Sequence, residues 1–307
     1  MADVAYIPGE PGRERRPAIG YAMVISAALL FALNGTVSKV VLQSGISSLE
    51  LTQVRATGAF LGFALVLGIS RRESLRLTRR EAPYLVVFGI AGVASVQWLY
   101  FVSIARLPIG IALLIEYLAP ILIAIWAWAV FKEPVRRRIW AALVLALAGL
   151  SLVVEVWGGL SLDGLGVAAA LGAAVAYAVY VLMAERAVKR RDPASLTCYG
   201  FLFAALFWAA VQPLWRFPGG RLDDSVSLLG HLERFALPVW LLMLYVVVAG
   251  TMVTFLLVVA ALRHISATRV GIVAMLEPVA ASGIAFLWLG ETFGTPQLIG
   301  GAIVLAA

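Results

Sequence analysis

The chain has 307 residues, of which 62% are hydrophobic and only 13% charged, and its mean hydropathy is +0.96. Soluble domains carry about 45–50% apolar and about 25% charged residues, so a soluble globule, a disordered chain and a fibrous protein are excluded. One cysteine, Cys198, rules out a disulfide framework, two histidines, His231 and His264, leave little for a metal centre, and the net charge of +7 has to be located before it is interpreted.

A crossing helix needs about 20 mostly apolar residues, and ten segments meet or approach that requirement. Residues 1–18, with three prolines and mixed charges, are expected to form a mobile tail. Span 1 is predicted over Ile19–Leu42 with Asn34 near its middle; its length and the lack of a small-residue cleavage site argue against a cleavable signal peptide. Span 2, Leu49–Ile69, opens on the capping box Ser47-x-x-Glu50, and Arg55 one turn deeper can pair with a carboxylate that the sequence does not identify. Span 3, Pro83–Ile104, carries Gln97, Trp98 and Tyr100. Span 4, Pro108–Phe131, carries Glu116, Tyr117 and Pro120, and span 5 follows at Ile139–Val156.

In the second half, span 6 is predicted over Leu165–Ala184 with Tyr177 and Tyr180, and span 7 over Leu196–Trp215. Span 8, Pro238–Leu262, holds Thr251 and Thr254; span 9, Ala267–Leu289, holds Glu277 directly before Pro278. Thr295-Pro296 reads as an N-cap followed by proline at the first position of span 10. Its 12 residues reach about 18 Å against a hydrocarbon core of about 30 Å, so the sequence is expected to stop inside that helix.

The cations sort by side. With the N-terminus in the cytoplasm, 17 of them fall on the inner side: Arg13, Arg15, Arg16, Arg71, Arg72, Arg76, Arg79, Arg80, Lys132, Arg136, Arg137, Arg138, Arg186, Lys189, Arg190, Arg191 and Arg263. Four fall outside, Arg106, Arg216, Arg221 and Arg234, while Lys39, Arg55 and Arg269 lie within spans. This bias predicts a multi-pass protein of a bacterial-type cytoplasmic (inner) membrane with both termini inside. It makes the basic residues orientation signals and contacts for membrane lipids, not a nucleic-acid surface.

The two halves resemble each other. A shift of 158 places Leu118, Pro120, Ala127, Glu133, Leu147 and Ala148 on Leu276, Pro278, Ala285, Glu291, Leu305 and Ala306. A shift of 146 places Gly20, Ala22, Ala27, Ala28 and Ala32 on Gly166, Ala168, Ala173, Ala174 and Ala178, the difference fitting an insertion in the loop Arg216–Leu237. Five spans per half is an odd number, so the halves insert in opposite senses. The fold expected is all-α and polytopic: ten transmembrane helices in two inverted five-helix repeats, residues 19–157 and 164–307.

Ionisable groups deep in a span cost about 2.5–3.5 kcal/mol, which makes Glu116 and Glu277 functional candidates. Under the repeat they stand three positions apart in each frame, close to one helical turn, so each half can offer a carboxylate to a shared cavity. The plainer alternative is a protonated Glu hydrogen-bonded within the bundle, or, for Glu277, a side chain serving a proline-kinked backbone. Proline at 120 leaves the Glu116 carbonyl without its usual partner, a polar spot suited to an ammonium group or a proton; Glu116 is therefore the proton-coupling candidate. Lys39 and Arg269 can snorkel from span ends. Gly158-Gly159 and Gly219-Gly220 lack the spacing of a phosphate loop, so nucleotide-driven transport is not expected.

Several runs carry a wider resemblance: Met275-Leu276-Glu277-Pro278, Leu287-Trp288-Leu289-Gly290-Glu291-Thr292, Pro296-Gln297-Leu298-Ile299-Gly300-Gly301, and Leu107-Pro108-Ile109-Gly110-Ile111-Ala112 with Glu116 and Pro120. From Ile19 onward the chain resembles the ten-helix, EamA-type members of the drug/metabolite transporter superfamily, and the last of these runs is similar to the threonine/homoserine exporter branch. The resemblance implies a cavity lined by spans 1, 3, 4, 6, 8 and 9. That makes Asn34, Gln97, Tyr100, Glu116, Tyr117, Tyr180, Thr251, Thr254 and Glu277 the candidate substrate-binding residues, with interhelical hydrogen bonding as their plainer role. It implies a secondary exporter of small metabolites, amino acids first, with proton coupling open, and no cofactor or metal. The partners implied are a small-molecule substrate and lipids, with the chain a monomer or weak homodimer. Another cargo, such as a drug-like cation, nucleobase or sugar derivative, is the alternative. A membrane enzyme or scaffold fits less well: Asp3, Asp163, Asp192, Asp223 and Asp224 fall outside the spans, and no Gly-x-Ser-x-Gly occurs.

Overall fold

A computed structural model describes residues 16–104, 106–107, 109–130, 132, 136–153, 163–212, 217–290 and 294–306. Most of the expected tail, Glu133, Glu155, Gly158-Gly159, Trp215 and Glu291 lie outside these residues. The first half is built from α1 (Pro17–Gln43), α2 (Ser48–Ser70), α3 (Ala82–Val87), α4 (Ser95–Ile104), α5 (Ile109–Glu116), α6 (Ala119–Ala129) and α7 (Arg137–Val153). The second contains α8 (Gly164–Ala187), α9 (Pro193–Val211), strands β1 (Ser225–Ser227) and β2 (Ala236–Pro238), α10 (Val239–Val247), α11 (Thr254–Ala261), α12 (Ala267–Ala274), α13 (Leu276–Ile284) and α14 (Thr295–Ala306).

The protein is an all-α polytopic membrane protein. Among the described residues, eight helical segments are long and apolar enough to cross a membrane. The described parts of α7 and α14, with 17 and 12 residues, are shorter. Helix starts follow local chemistry. Ser47 and Glu50 form the reciprocal capping box, at 3.3 and 2.7 Å. Asp163 accepts from the Gly166 amide at 2.7 Å, and Asp192 accepts from the Ala194 and Ser195 amides.

Some boundaries differ from expectation. Span 7 begins at Pro193 because Asp192 caps it, and its helix ends at Val211, with Gln212 already extended. In span 10 Thr295 is helical and the Gly294 carbonyl accepts from the Leu298 amide, so glycine, not threonine, holds the capping position. Span 4 is not one helix: α5 stops at Glu116 and α6 resumes at Ala119, two turn residues ahead of the imino nitrogen of Pro120.

The spans alternate between two faces, which their contacts identify. On one face, rich in arginine, the amide of Arg16 meets His264 at 3.4 Å, Glu185 accepts from the Ala267 amide at 3.0 Å, and Arg191 binds Glu81. On the other, the two-stranded hairpin sits over the ends of spans 1 and 9: Arg221 donates to the Ser44 carbonyl and Trp288 Nε1 to the Leu228 carbonyl. Helix packing is nearly unchanged when span n is exchanged with span n + 5. Helix α7 packs on α14 and α2 on α9; α4 packs on α8 as α11 packs on α1; and α5 and α6 pack on α8 as α12 and α13 pack on α1. A Cβ at Gly149 would lie 2.7 Å from the Gly300 carbonyl, so only glycine admits that approach of α7 and α14.

Irregularities in the backbone follow the same exchange. A π-helical turn at Phe88–Ala94 interrupts span 3, and another at Val248–Val253 interrupts span 8. The break at Tyr117 in span 4 corresponds, under the shift of 158, to the break at Met275 in span 9. A further π-turn at Ala285–Leu289 has no counterpart among the described residues.

Candidate functional site

The broken ends of α5 and α12 bring the two carboxylates together. Glu116 is the last residue of α5, and Glu277 is in the first turn of α13. The Tyr117 hydroxyl donates to Glu277 Oε2 at 2.8 Å, tying the break of one half to the helix start of the other. Glu116 lies within electrostatic reach of Glu277, and no hydrogen bond or ion pair joins its carboxylate to a described residue. The bundle-internal partner that the plainer interpretation of Glu116 requires is therefore not among the described residues. Tyr100 and Tyr177 complete the polar cluster, each within electrostatic reach of both carboxylates. Arg55, Tyr100, Glu116 and Glu277 are all half-buried.

Arg55 joins the cluster through Tyr100 and Glu277. Its Nε donates to Thr251 Oγ1 at 3.0 Å, and that hydroxyl, within the π-turn of span 8, donates in turn to the Val246 carbonyl at 2.7 Å. Tyr100 and Glu277 act electrostatically on Arg55. No carboxylate among the described residues stands within 4 Å of it.

The remaining sequence-predicted residues are distributed around this centre. Asn34 is buried against Gly250, where any Cβ would collide with its amide, and its Oδ1 has no hydrogen-bond partner among the described residues. Gln97 is buried with both amide atoms in the same condition. Thr254 spends its hydroxyl on the Gly250 and Thr251 carbonyls of its own span and is not brought to the carboxylates. Tyr180 stacks on Phe88 and meets Phe255 edge-on, joining an aromatic cluster with Phe31, Phe63 and Phe201. Trp98 is 44% exposed, placing it on the outer surface of the bundle.

Apolar packing differs between the two faces. Toward the arginine-rich face, one continuous cluster runs from Val24 through Phe63, Phe88, Tyr180 and Phe201 to Val258 and Val270. Toward the hairpin face there are two separate clusters. One joins the ends of spans 1, 2 and 8 to the hairpin; the other is Leu107, Ala112 and Ala170. Among the described residues, the polar cluster thus has continuous apolar packing toward its arginine-rich side and divided packing toward its hairpin side.

The arginine-rich face is also latched by polar contacts that the sequence did not disclose. Arg191 donates to Glu81 at 3.1 Å, to Ser195 Oγ, and to the Ser74 and Arg76 carbonyls, and lies 4.7 Å over the Tyr199 ring. Tyr199 donates to the Leu75 carbonyl, and Asp192 faces both Arg71 and Arg263 within 4 Å. Outside the spans, the Thr78 hydroxyl and amide, with the Arg191 guanidinium, hold the Glu81 carboxyl below its usual range.

Two stretches, residues 18–155 and 164–307, match the EamA-like transporter family. An uncharacterized transporter of Archaeoglobus fulgidus is 30% identical over 285 residues, covering 93% of both chains. The threonine/homoserine exporter RhtA of Escherichia coli K12 is 27% identical over 299 residues, covering 97% of this chain and 93% of its own. A solved crystal structure superposes with a TM-score of 0.76 over 94% of both chains at 18% identity, a likeness of fold alone.

Proposed function

Because the chain belongs to the EamA-like transporter family, we propose that it is a secondary active transporter exporting small metabolites, chiefly amino acids, with Glu116 carrying the coupled proton. The single observation that carries this is the half-buried Glu116 carboxylate, without a described partner, at a helix break beside Glu277. Discontinuous helices at matching places in two repeats are where transporters hold substrate and coupling ion. A carboxylate there can take either a proton or a substrate ammonium, and the competition between them couples the two fluxes. The name of the Escherichia coli relative favours amino acids as cargo. The cation bias favours a cytoplasmic-membrane location with the arginine-rich face inside. Alternating access would then exchange the continuous packing of that face with the divided packing of the hairpin face. Both halves of the site come from one chain, so a monomer suffices.

The test is a substrate panel in proteoliposomes, with and without an imposed pH gradient. Amino-acid flux that responds to the gradient is expected. A panel in which amino acids stay put while an organic cation moves would replace this cargo with the second candidate, which has its own support: three tyrosines around two carboxylates also suit a drug-like cation.

A further inference from the structure

Arg55 is the charge in the site that proton exchange at Glu116 does not use. It stands within span 2, where an unneutralised guanidinium is costly. Its nearest anion, Glu277, is beyond 4 Å and is already engaged by the Tyr117 hydroxyl. The side chain is nevertheless held in place: Nε is fixed on Thr251 Oγ1, which is fixed on the Val246 carbonyl. That arrangement occupies one edge of the guanidinium fork. Nε is the only Arg55 nitrogen that bonds a described residue, which leaves the other edge, with the two terminal nitrogens, without a described partner. A planar pair of N–H donors, held through Nε and without a described partner of its own, has the geometry that receives a carboxylate in bidentate fashion.

The charges in the cluster also call for a ligand with two ends. Arg55 and Glu277 balance each other, leaving Glu116 as an anion without a cation of its own among the described residues. Tyr100 lies within electrostatic reach of Arg55, Glu116 and Glu277 alike, which places it among the three. A simple amine would satisfy Glu116 and leave the other edge of Arg55 unused, and a simple organic acid would do the reverse. A solute with adjacent ammonium and carboxylate groups satisfies both.

Building on the transport function proposed above, we infer that Arg55 binds the carboxylate of the transported solute while Glu116 binds its ammonium group, so that the substrate class is the amino-acid zwitterion. Arg55 is then a specificity-determining residue, and Thr251, anchored on the Val246 carbonyl, its positioning residue.

The experiment compares initial uptake rates of three labelled probes into proteoliposomes: L-threonine; 1-aminopropan-2-ol, which lacks the carboxylate; and 3-hydroxybutanoate, which lacks the ammonium. Wild-type protein should prefer threonine to either half-molecule by at least about tenfold. In Arg55→Gln the threonine to 1-aminopropan-2-ol ratio should collapse toward one, and Arg55→Lys should restore part of it. In Glu116→Gln the ratio of threonine to 3-hydroxybutanoate should collapse instead. Wild-type protein that moves 1-aminopropan-2-ol as fast as threonine overturns the inference while leaving the amino-acid exporter standing. Arg55→Gln that keeps the wild-type ratio also overturns it. Wild-type protein that moves neither threonine nor any other amino acid overturns the inference and the proposed function together. The wild-type ratios test the need for both charged groups, and if Arg55→Gln does not fold, Arg55→Lys tests Arg55: an unchanged threonine to 1-aminopropan-2-ol ratio in it overturns the assignment.

Discussion

Tyr117 and Glu277 show how one hydrogen bond can join two repeats. The residues are 160 positions apart, and their 2.8 Å contact crosses from the break of span 4 to the break of span 9. A neutral hydrogen bond contributes about 0.5–1.5 kcal/mol, and one to a charged group about 1.5–3 kcal/mol. Tyr117→Phe should therefore lower the thermal midpoint in detergent by a few degrees and weaken transport; an unaltered midpoint together with unaltered transport would show that the bond is not used. Glu116, Glu277 and Tyr117 were legible in the sequence because a polar group inside an apolar run is conspicuous. The partner of Arg55 was not. Thr251, itself a candidate site residue, lies 196 positions away, and nothing in one dimension pairs it with Arg55. Tyr177 and Tyr180 illustrate the same limit: both sit in span 6, yet only Tyr177 reaches the carboxylates, because Tyr180 turns to stack on Phe88.

At the scale of elements, span existence was legible from hydropathy and the start of span 2 from its capping box, since those signals lie within a few consecutive residues; the caps at Asp163 and Asp192 went unread. The breaks were half legible: Pro120 and Pro278 announced them, but hydropathy drew each span as one rod. The hairpin was invisible, its strands being three residues each inside a loop with no alternating pattern. The Arg191 latch was equally hidden, because a run of arginines reads as an orientation signal until its partners are placed. That latch yields a pH prediction. The folded Glu81 carboxyl lies below its ordinary value, so its contribution is fully present above the unfolded carboxylate pKa of about 4.3 and is lost only as pH falls through the still lower folded value. The latch should stay closed across the neutral range, and Glu81→Gln should leave the pH profile of transport between about pH 6 and 8 unshifted. A profile displaced by that substitution would make Glu81, not the intramembrane carboxylates, the pH-sensitive group. Packing of α7 on α14 depends on Gly149 in a different way. Gly149→Leu should force the pair apart and cost about 1–3 kcal/mol, seen as loss of monodisperse protein on heating.

For the whole molecule, the exchange of packing partners between the halves is the main architectural fact, and the Pro-to-Glu spacing of the sequence had pointed to it. The sequence could not reveal which face is packed solid, because that depends on how the spans lean together. The expected orientation puts the arginine-rich face in the cytoplasm. With Cys198 replaced, an impermeant thiol reagent applied to intact cells should label a cysteine placed at Asp223, in the loop leading to the hairpin, and spare one placed at Glu73 on the arginine-rich face; the reverse pattern would invert the topology.

The central claim is that Glu116 exchanges a proton for substrate, and the most direct test is simultaneous measurement of proton and amino-acid flux in proteoliposomes carrying a pH-sensitive dye. Wild-type protein should move protons whenever a transported amino acid is added, and an imposed pH gradient should drive accumulation. Glu116→Gln, which keeps the shape and removes the charge, should fold as the wild type does and lose both proton movement and gradient-driven accumulation. Proton flux and accumulation at the wild-type level in Glu116→Gln would contradict the account and leave Glu116 as a structural residue.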